Sequence, residues 1–113
     1  MADEFKIALF YGTIEESDPP DFEELTAGPG ANKFWEVDVI FVCSRESSEI
    51  SVSLKHIIDI ENEVYLLKTT SVTPGETVSI GPIAMIEGHS LEVEAVGGSV
   101  DLIGYGTSRE ATE

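Results

Sequence analysis

Basic side chains are scarce in this sequence of 113 residues. Six lysines and arginines stand against 22 aspartates and glutamates, a formal net charge of -16. A surface of that sign repels phosphates, so nucleic acid and anionic membrane are excluded as expected partners. Cysteine is nearly absent. Cys43 alone cannot close an intramolecular disulfide, and its place at the end of Val39-Ile40-Phe41-Val42-Cys43 predicts a buried, inert thiol. Long apolar runs are missing as well. That stretch has five residues, where a membrane helix needs roughly 20. The opening Met1-Ala2-Asp3-Glu4-Phe5 has neither the basic start nor the extended apolar stretch of a cleaved signal, so a soluble chain that no such signal exports is expected.

What is present suffices for one domain. Residues 1–113 carry 42% hydrophobic side chains, enough for a single core without metals or disulfides. Self-repulsion among the carboxylates opposes compaction at low ionic strength, and it is screened at about 1 M salt, where the Debye length is ~3 Å. The composition therefore suits concentrated salt. The alternative is an ordinary acidic surface, or one that meets a basic partner.

From residue 33 onward the pattern is that of strands. Trp35, Val37, Val39, Phe41 and Cys43 alternate with Glu36, Asp38, Ile40 and Val42. Ile50, Val52 and Leu54 alternate with Ser51, Ser53 and Lys55, and a turn is expected at 59–62. Val64 to Lys68 is a further run. Thr73-Pro74-Gly75-Glu76 signals a turn before the alternation at 77–80, and Pro82 opens a short run through Met85. Turns at Gly88-His89 and Gly97-Gly98 bracket Leu91, Val93 and Ala95, and Val100 to Tyr105 closes the series. Phe5 to Ile14 also reads as a strand, with Ile7, Leu9 and Tyr11 on one side and Phe10 on the other. Its apolar content and its isolation suggest pairing with a neighbouring molecule's sheet edge. Residues 15–32, with Pro19-Pro20 and Gly28-Pro29-Gly30, read as a long acidic loop that could hold a helical turn at Phe22–Leu25. A polar, frayed tail is expected from Thr107. Together these predict an all-β chain: an antiparallel, jelly-roll-like β-sandwich of about eight short strands.

Catalytic chemistry is not signalled. Only His56 and His89 could act as a neutral base, and neither lies in a nucleophile signature; His89 is expected to be solvated in its turn and His56 partly covered near a strand end. One cysteine and two separated histidines are no zinc set. The acidic stretches 18–24 and 59–63 lack the EF-hand pattern with its central glycine, so solvated loops are expected there. With 22 carboxylates, pairs arise by chance and do not specify glycosidase chemistry. The nine aromatic residues are not interleaved with lysine or arginine, as base-stacking platforms require. The reading is no catalytic residue, no cofactor, no metal and no enzyme. Trp35 and Tyr105 are the candidate platforms if the chain binds carbohydrate, although Trp35 reads first as core or interface.

Three segments carry a resemblance. Val64-Tyr65-Leu66-Leu67-Lys68, then Val72-Thr73-Pro74-Gly75-Glu76-Thr77-Val78-Ser79-Ile80, then Ile86-Glu87-Gly88-His89-Ser90-Leu91-Glu92-Val93-Glu94-Ala95, with Val100 to Tyr105 closing, resemble small virion proteins of tailed viruses. In that group a tyrosine-bearing strand precedes a Pro-Gly type turn, a Leu-Glu-Ala-Gly-Asp-Ser-Leu-like stretch follows, and the last strand ends in tyrosine. The likeness spans roughly residues 33–106. His89 stands where aspartate is usual, and the acidic loop is a departure that bears on the partner surface. The resemblance implies a virion structural protein, foremost a capsid decoration or cement protein, trimeric, touching the major capsid protein or other virion proteins. The alternative position is a neck, baseplate or fibre adaptor. With the acidic composition it implies a virus of a halophilic host.

Overall fold

A computed structural model of the chain describes residues 6–16 and 21–110. The opening Met1–Phe5, the Asp18-Pro19-Pro20 part of the acidic stretch and the last three residues of the tail lie outside them. The described residues form nine strands and no helix: β1 Ile7–Ile14, β2 Glu23–Thr26, β3 Lys33–Ser44, β4 Ile50–Asp59, β5 Asn62–Val72, β6 Thr77–Ile80, β7 Ile83–Ile86, β8 Ser90–Val96 and β9 Val100–Glu110.

The pairing is nested. β1 pairs with β9, β2 with β8, β3 with β6 and β7, and β4 with β5, all antiparallel. Rolling this long hairpin brings β3 against β9 and β4 against β8. The result is two sheets, A in the order β1-β9-β3-β6/β7 and B in the order β2-β8-β4-β5. That is the jelly-roll order. β6 and β7 are one edge strand interrupted at Gly81-Pro82. Proline has no N–H to give the ladder, and Gly81 takes φ 136° where a Cβ would strike the backbone of Asp38.

The sheets enclose one core. Ile50, Val52 and Leu54 of β4 and Leu91, Val93 and Ala95 of β8 face inward, as their alternation predicts. Opposite them stand Phe10 and Ile14 of β1, Val37, Ile40 and Val42 of β3, and Val100 and Leu102 of β9. Two bulges decide which residues these are. In β3 the register shifts between Val37 and Val39, so the inward phase moves from Trp35 and Val37 to Ile40 and Val42. Phe41 and Cys43, which simple alternation puts beside Val37, face outward instead. In β1 a shift between Ala8 and Phe10 turns Phe10 and Ile14 inward and Tyr11 outward.

Other expectations are corrected. The strands are not uniformly short, since β3, β4, β5 and β9 have ten or more residues. Residues 15–32 are not all loop, and Phe22–Leu25 is no helical turn, because Glu23–Thr26 finds a partner edge in β8. The tail does not fray at Thr107: Thr107 to Glu110 pair with Glu36 to Lys33. β1 pairs with β9 of its own chain and forms one edge of sheet A. Cys43 is half-exposed, on the outer side of sheet A.

Candidate interaction surface

The outer side of sheet A is built from the residues that the two bulges turn outward. Tyr11 of β1 stands opposite Ile103 of β9, Ile103 opposite Phe41 of β3, and Phe41 opposite Ser79 of β6. These four cross the whole sheet in one line. Tyr105 lies beside it and meets Phe41 edge to face, with ring centroids 6.1 Å apart. Tyr11 is 75% exposed, and Phe41 and Tyr105 are each more than a third exposed.

The charges around this line cancel. The strands of sheet A carry four carboxylates: Glu36, Asp38, Asp101 and Glu110. Each has a basic partner. Lys6 pairs with Asp38, Arg109 with Glu36, Lys33 with Glu110 at 2.6 Å and Arg45 with Asp101 at 3.4 Å. Exposed pairs of this kind add little stability. Their consequence is local neutrality. Four of the chain's six basic residues are spent there, which leaves eighteen carboxylates against Lys55 and Lys68. With these four ion pairs counted as neutral, the formal charge of -16 lies on the remaining residues, those of sheet B, the loops and the chain ends. A shallow groove of about 290 Å³ between Glu36–Asp38 and Pro82–Ala84 marks the interrupted edge of the same sheet.

Sheet B presents a different outer side. Lys55 sits 3.9 Å from the Phe22 ring centroid and 5.4 Å from that of Tyr65, and its ammonium meets Glu63 at 3.0 Å. Desolvation lowers the Lys55 pKa, but Glu63, Tyr65 and Glu92 outweigh it and the net shift is upward. The β4–β5 turn lifts Ile60 wholly into solvent, 98% exposed. It is stiffened by Asp59, whose Oδ1 accepts hydrogen bonds from the backbone N–H groups of Glu61 and Asn62 and from the Asn62 amide. The Asn62 bond first, then the Glu61 backbone, holds the Asp59 carboxyl below its usual pKa.

The two histidines, read as unrelated in the sequence, meet at the end of the sandwich. His56 continues the inward row Val52, Leu54, His56 of β4, and His89 arrives on the β7–β8 turn as it crosses between the sheets. His56 Nε2 lies 3.0 Å from His89 Nδ1. Nδ1 also faces the Ile86 backbone N–H, which can only donate, so Nδ1 is the acceptor and His56 Nε2 carries a hydrogen. Burial, and after it the nearby His89, lowers the His56 pKa. No local motif announced this contact, because it depends on the pairing of β4 with β8. Half-buried against His56, His89 is not the solvated turn residue expected.

Trp35 and Tyr105 do not form one platform. Trp35 packs against the core with its ring stacked on Phe10 at 5.9 Å, and Tyr105 faces out of sheet A. In the stretch 59–63 the Asp59 carboxylate is occupied by its turn, and among the described residues no three or more histidine, cysteine or acidic side chains gather as a metal set. No described helix is long and apolar enough to cross a membrane.

Known proteins add little. No family model and no curated protein matches the sequence. Among solved structures, a chain in the structure of infectious bursal disease virus Gx strain aligns at 11% identity and a TM-score of 0.48, covering 94% of this chain and 39% of that one. A chain of the Gt strain aligns at 8% identity and a TM-score of 0.42, with 94% and 32% covered. This chain thus spans well under half the length of either.

Proposed function

We propose that this chain is a virion structural protein that works through protein–protein contacts, foremost as a capsid decoration or cement protein and not as an enzyme. The observation that carries this reading is the neutral outer side of sheet A, lined by Tyr11, Ile103, Phe41 and Tyr105, in a chain whose net charge of -16 lies elsewhere. Aromatic side chains in a charge-poor centre with charge displaced to the rim are the composition of contact surfaces. A jelly roll is an architecture that capsid proteins use, and the sequence pattern over residues 33–106 resembles virion proteins of tailed viruses. The acidic remainder suits a particle exposed to concentrated salt, as in a virus of a halophilic host. The partners under this reading are copies of the chain itself and the major capsid protein.

Quantitative mass spectrometry of purified particles, with imaging of the particle, tests the proposal. Hundreds of copies spread over the shell are expected. About a dozen copies at one vertex would move the protein to the neck, baseplate or a fibre adaptor. Absence from particles would refute a virion role.

A further inference from the structure

We infer that the outer side of sheet A is where two copies of this chain join, face to face across a two-fold axis, leaving the acidic sheet B of each copy in solvent. This deepens the assembly reading above, and rests on it only in taking contact between copies as the chain's mode of action. The argument for a second copy as occupant is electrostatic. Outside the four ion pairs of sheet A, eighteen carboxylates against Lys55 and Lys68 leave an excess of negative charge that makes most approaches between copies repulsive. Sheet A is the exception. Its four carboxylates, Glu36, Asp38, Asp101 and Glu110, are each paired within the same chain. Two such surfaces can meet without placing unpaired charge against charge, whereas two sheet B surfaces cannot. A basic partner would be drawn to sheet B and gain nothing from sheet A.

Shape and chemistry agree with this. The molecule is a slab of 46 × 33 × 17 Å, so about half of one broad side supplies the ~800 Å² per partner that stable interfaces bury. The Tyr11–Ile103–Phe41–Ser79 line crosses the full sheet, so a two-fold placed on it sets each aromatic of one copy against the same row of the other, an isologous contact. A trimer, the stoichiometry expected from the sequence, would instead need two different patches on each copy. Because like charge opposes association while apolar and aromatic area drives it, salt weakens the first without weakening the second. Pairing should therefore strengthen as salt is raised.

Sedimentation equilibrium on the full chain, from about 1 to 100 µM in 0.15 M and 1 M potassium chloride, tests the inference. Wild type should be a monomer–dimer system whose dissociation constant falls at the higher salt. Tyr11→Glu, on a side chain 75% exposed, should raise that constant at least ~30-fold, as loss of an interface anchor does. Ser79→Glu, on an exposed residue of the same line, should weaken pairing likewise should Tyr11→Glu perturb folding by circular dichroism. Ile60→Glu at the β4–β5 turn should leave the constant unchanged. Wild type that stays monomeric at 100 µM in 1 M salt, or that sediments as a trimer, overturns the inference. So does a Tyr11→Glu or Ser79→Glu chain that folds and pairs like wild type. A monomer still found in particles would leave the virion reading standing and remove only the paired copies.

Discussion

His56 and His89 share one hydrogen, and their environment makes the pair sensitive to acid. Burial, helped by His89, holds His56 below its ordinary value of 6.5. As pH falls, the unfolded chain therefore binds the proton before the folded chain does, so this pair stabilises the fold above about pH 6.5 and loses that contribution as pH falls toward the depressed folded value. The slope for one proton cannot exceed about 1.4 kcal/mol per pH unit. The neighbouring carboxylate of Asp59 interacts with His89 and remains charged throughout this window, since its pKa is lowered. Acid also reduces the repulsion among the other carboxylates, so the effect is best read as a difference. Urea unfolding of wild type and His56→Gln at pH 8 and pH 5.5 should show the wild-type advantage shrinking at the lower pH. An advantage that is constant or grows would contradict the assigned shift. Only the burial of His56 could be anticipated from the sequence, as the last member of the apolar row 50, 52, 54. The meeting with His89 could not, because it is a product of strands distant in sequence.

At the scale of the strands, turns and alternation in the sequence locate nearly every element, and the jelly-roll order follows from nested pairing of elements in chain order. What alternation misses is the bulge. One extra residue near Asp38 and one near Leu9 reverse the phase of β3 and β1, so that Ile40 and Phe10 face the core while Phe41 and Tyr11 face out. The exposed aromatic line exists because of these two reversals, so a reading of period two alone hides it. The ends of β2 and β9 were missed for another reason: Glu23–Thr26 and Thr107–Glu110 are polar, and they are strands because a partner edge is available. Phe10 illustrates how tightly the reversed β1 packs. It lies opposite Gly104, where a Cβ would collide with its ring, and the ring is buried. Gly104→Ala should cost about 1–3 kcal/mol by overpacking. Gly30→Ala, where no atom lies within 4 Å of the added carbon, should change stability by under ~1 kcal/mol. Paired denaturation curves check both, and equal stability of the two variants would mean that Phe10 does not face Gly104.

For the whole molecule, the decisive property is the separation of charge. Neutral sheet A and acidic sheet B share one core, yet composition alone reports only the sum of -16. The distribution became legible once the strands were ordered and each carboxylate of β3 and β9 was seen with its partner. Repulsion on the acidic side should make stability depend on screening: the thermal midpoint should rise by several degrees between 0.1 M and 2 M potassium chloride, and a midpoint independent of salt would remove the basis for a high-salt setting. The central claim, that the chain works through its neutral side, is tested most directly by hydroxyl-radical footprinting of the assembled and the dilute protein, read residue by residue. Tyr11, Phe41 and Tyr105 should lose most of their labelling on assembly, while Tyr65 on sheet B, 41% exposed, keeps its own. Unchanged labelling of Tyr11 together with protection of Tyr65 would show that the acidic side makes the contact and would contradict the account.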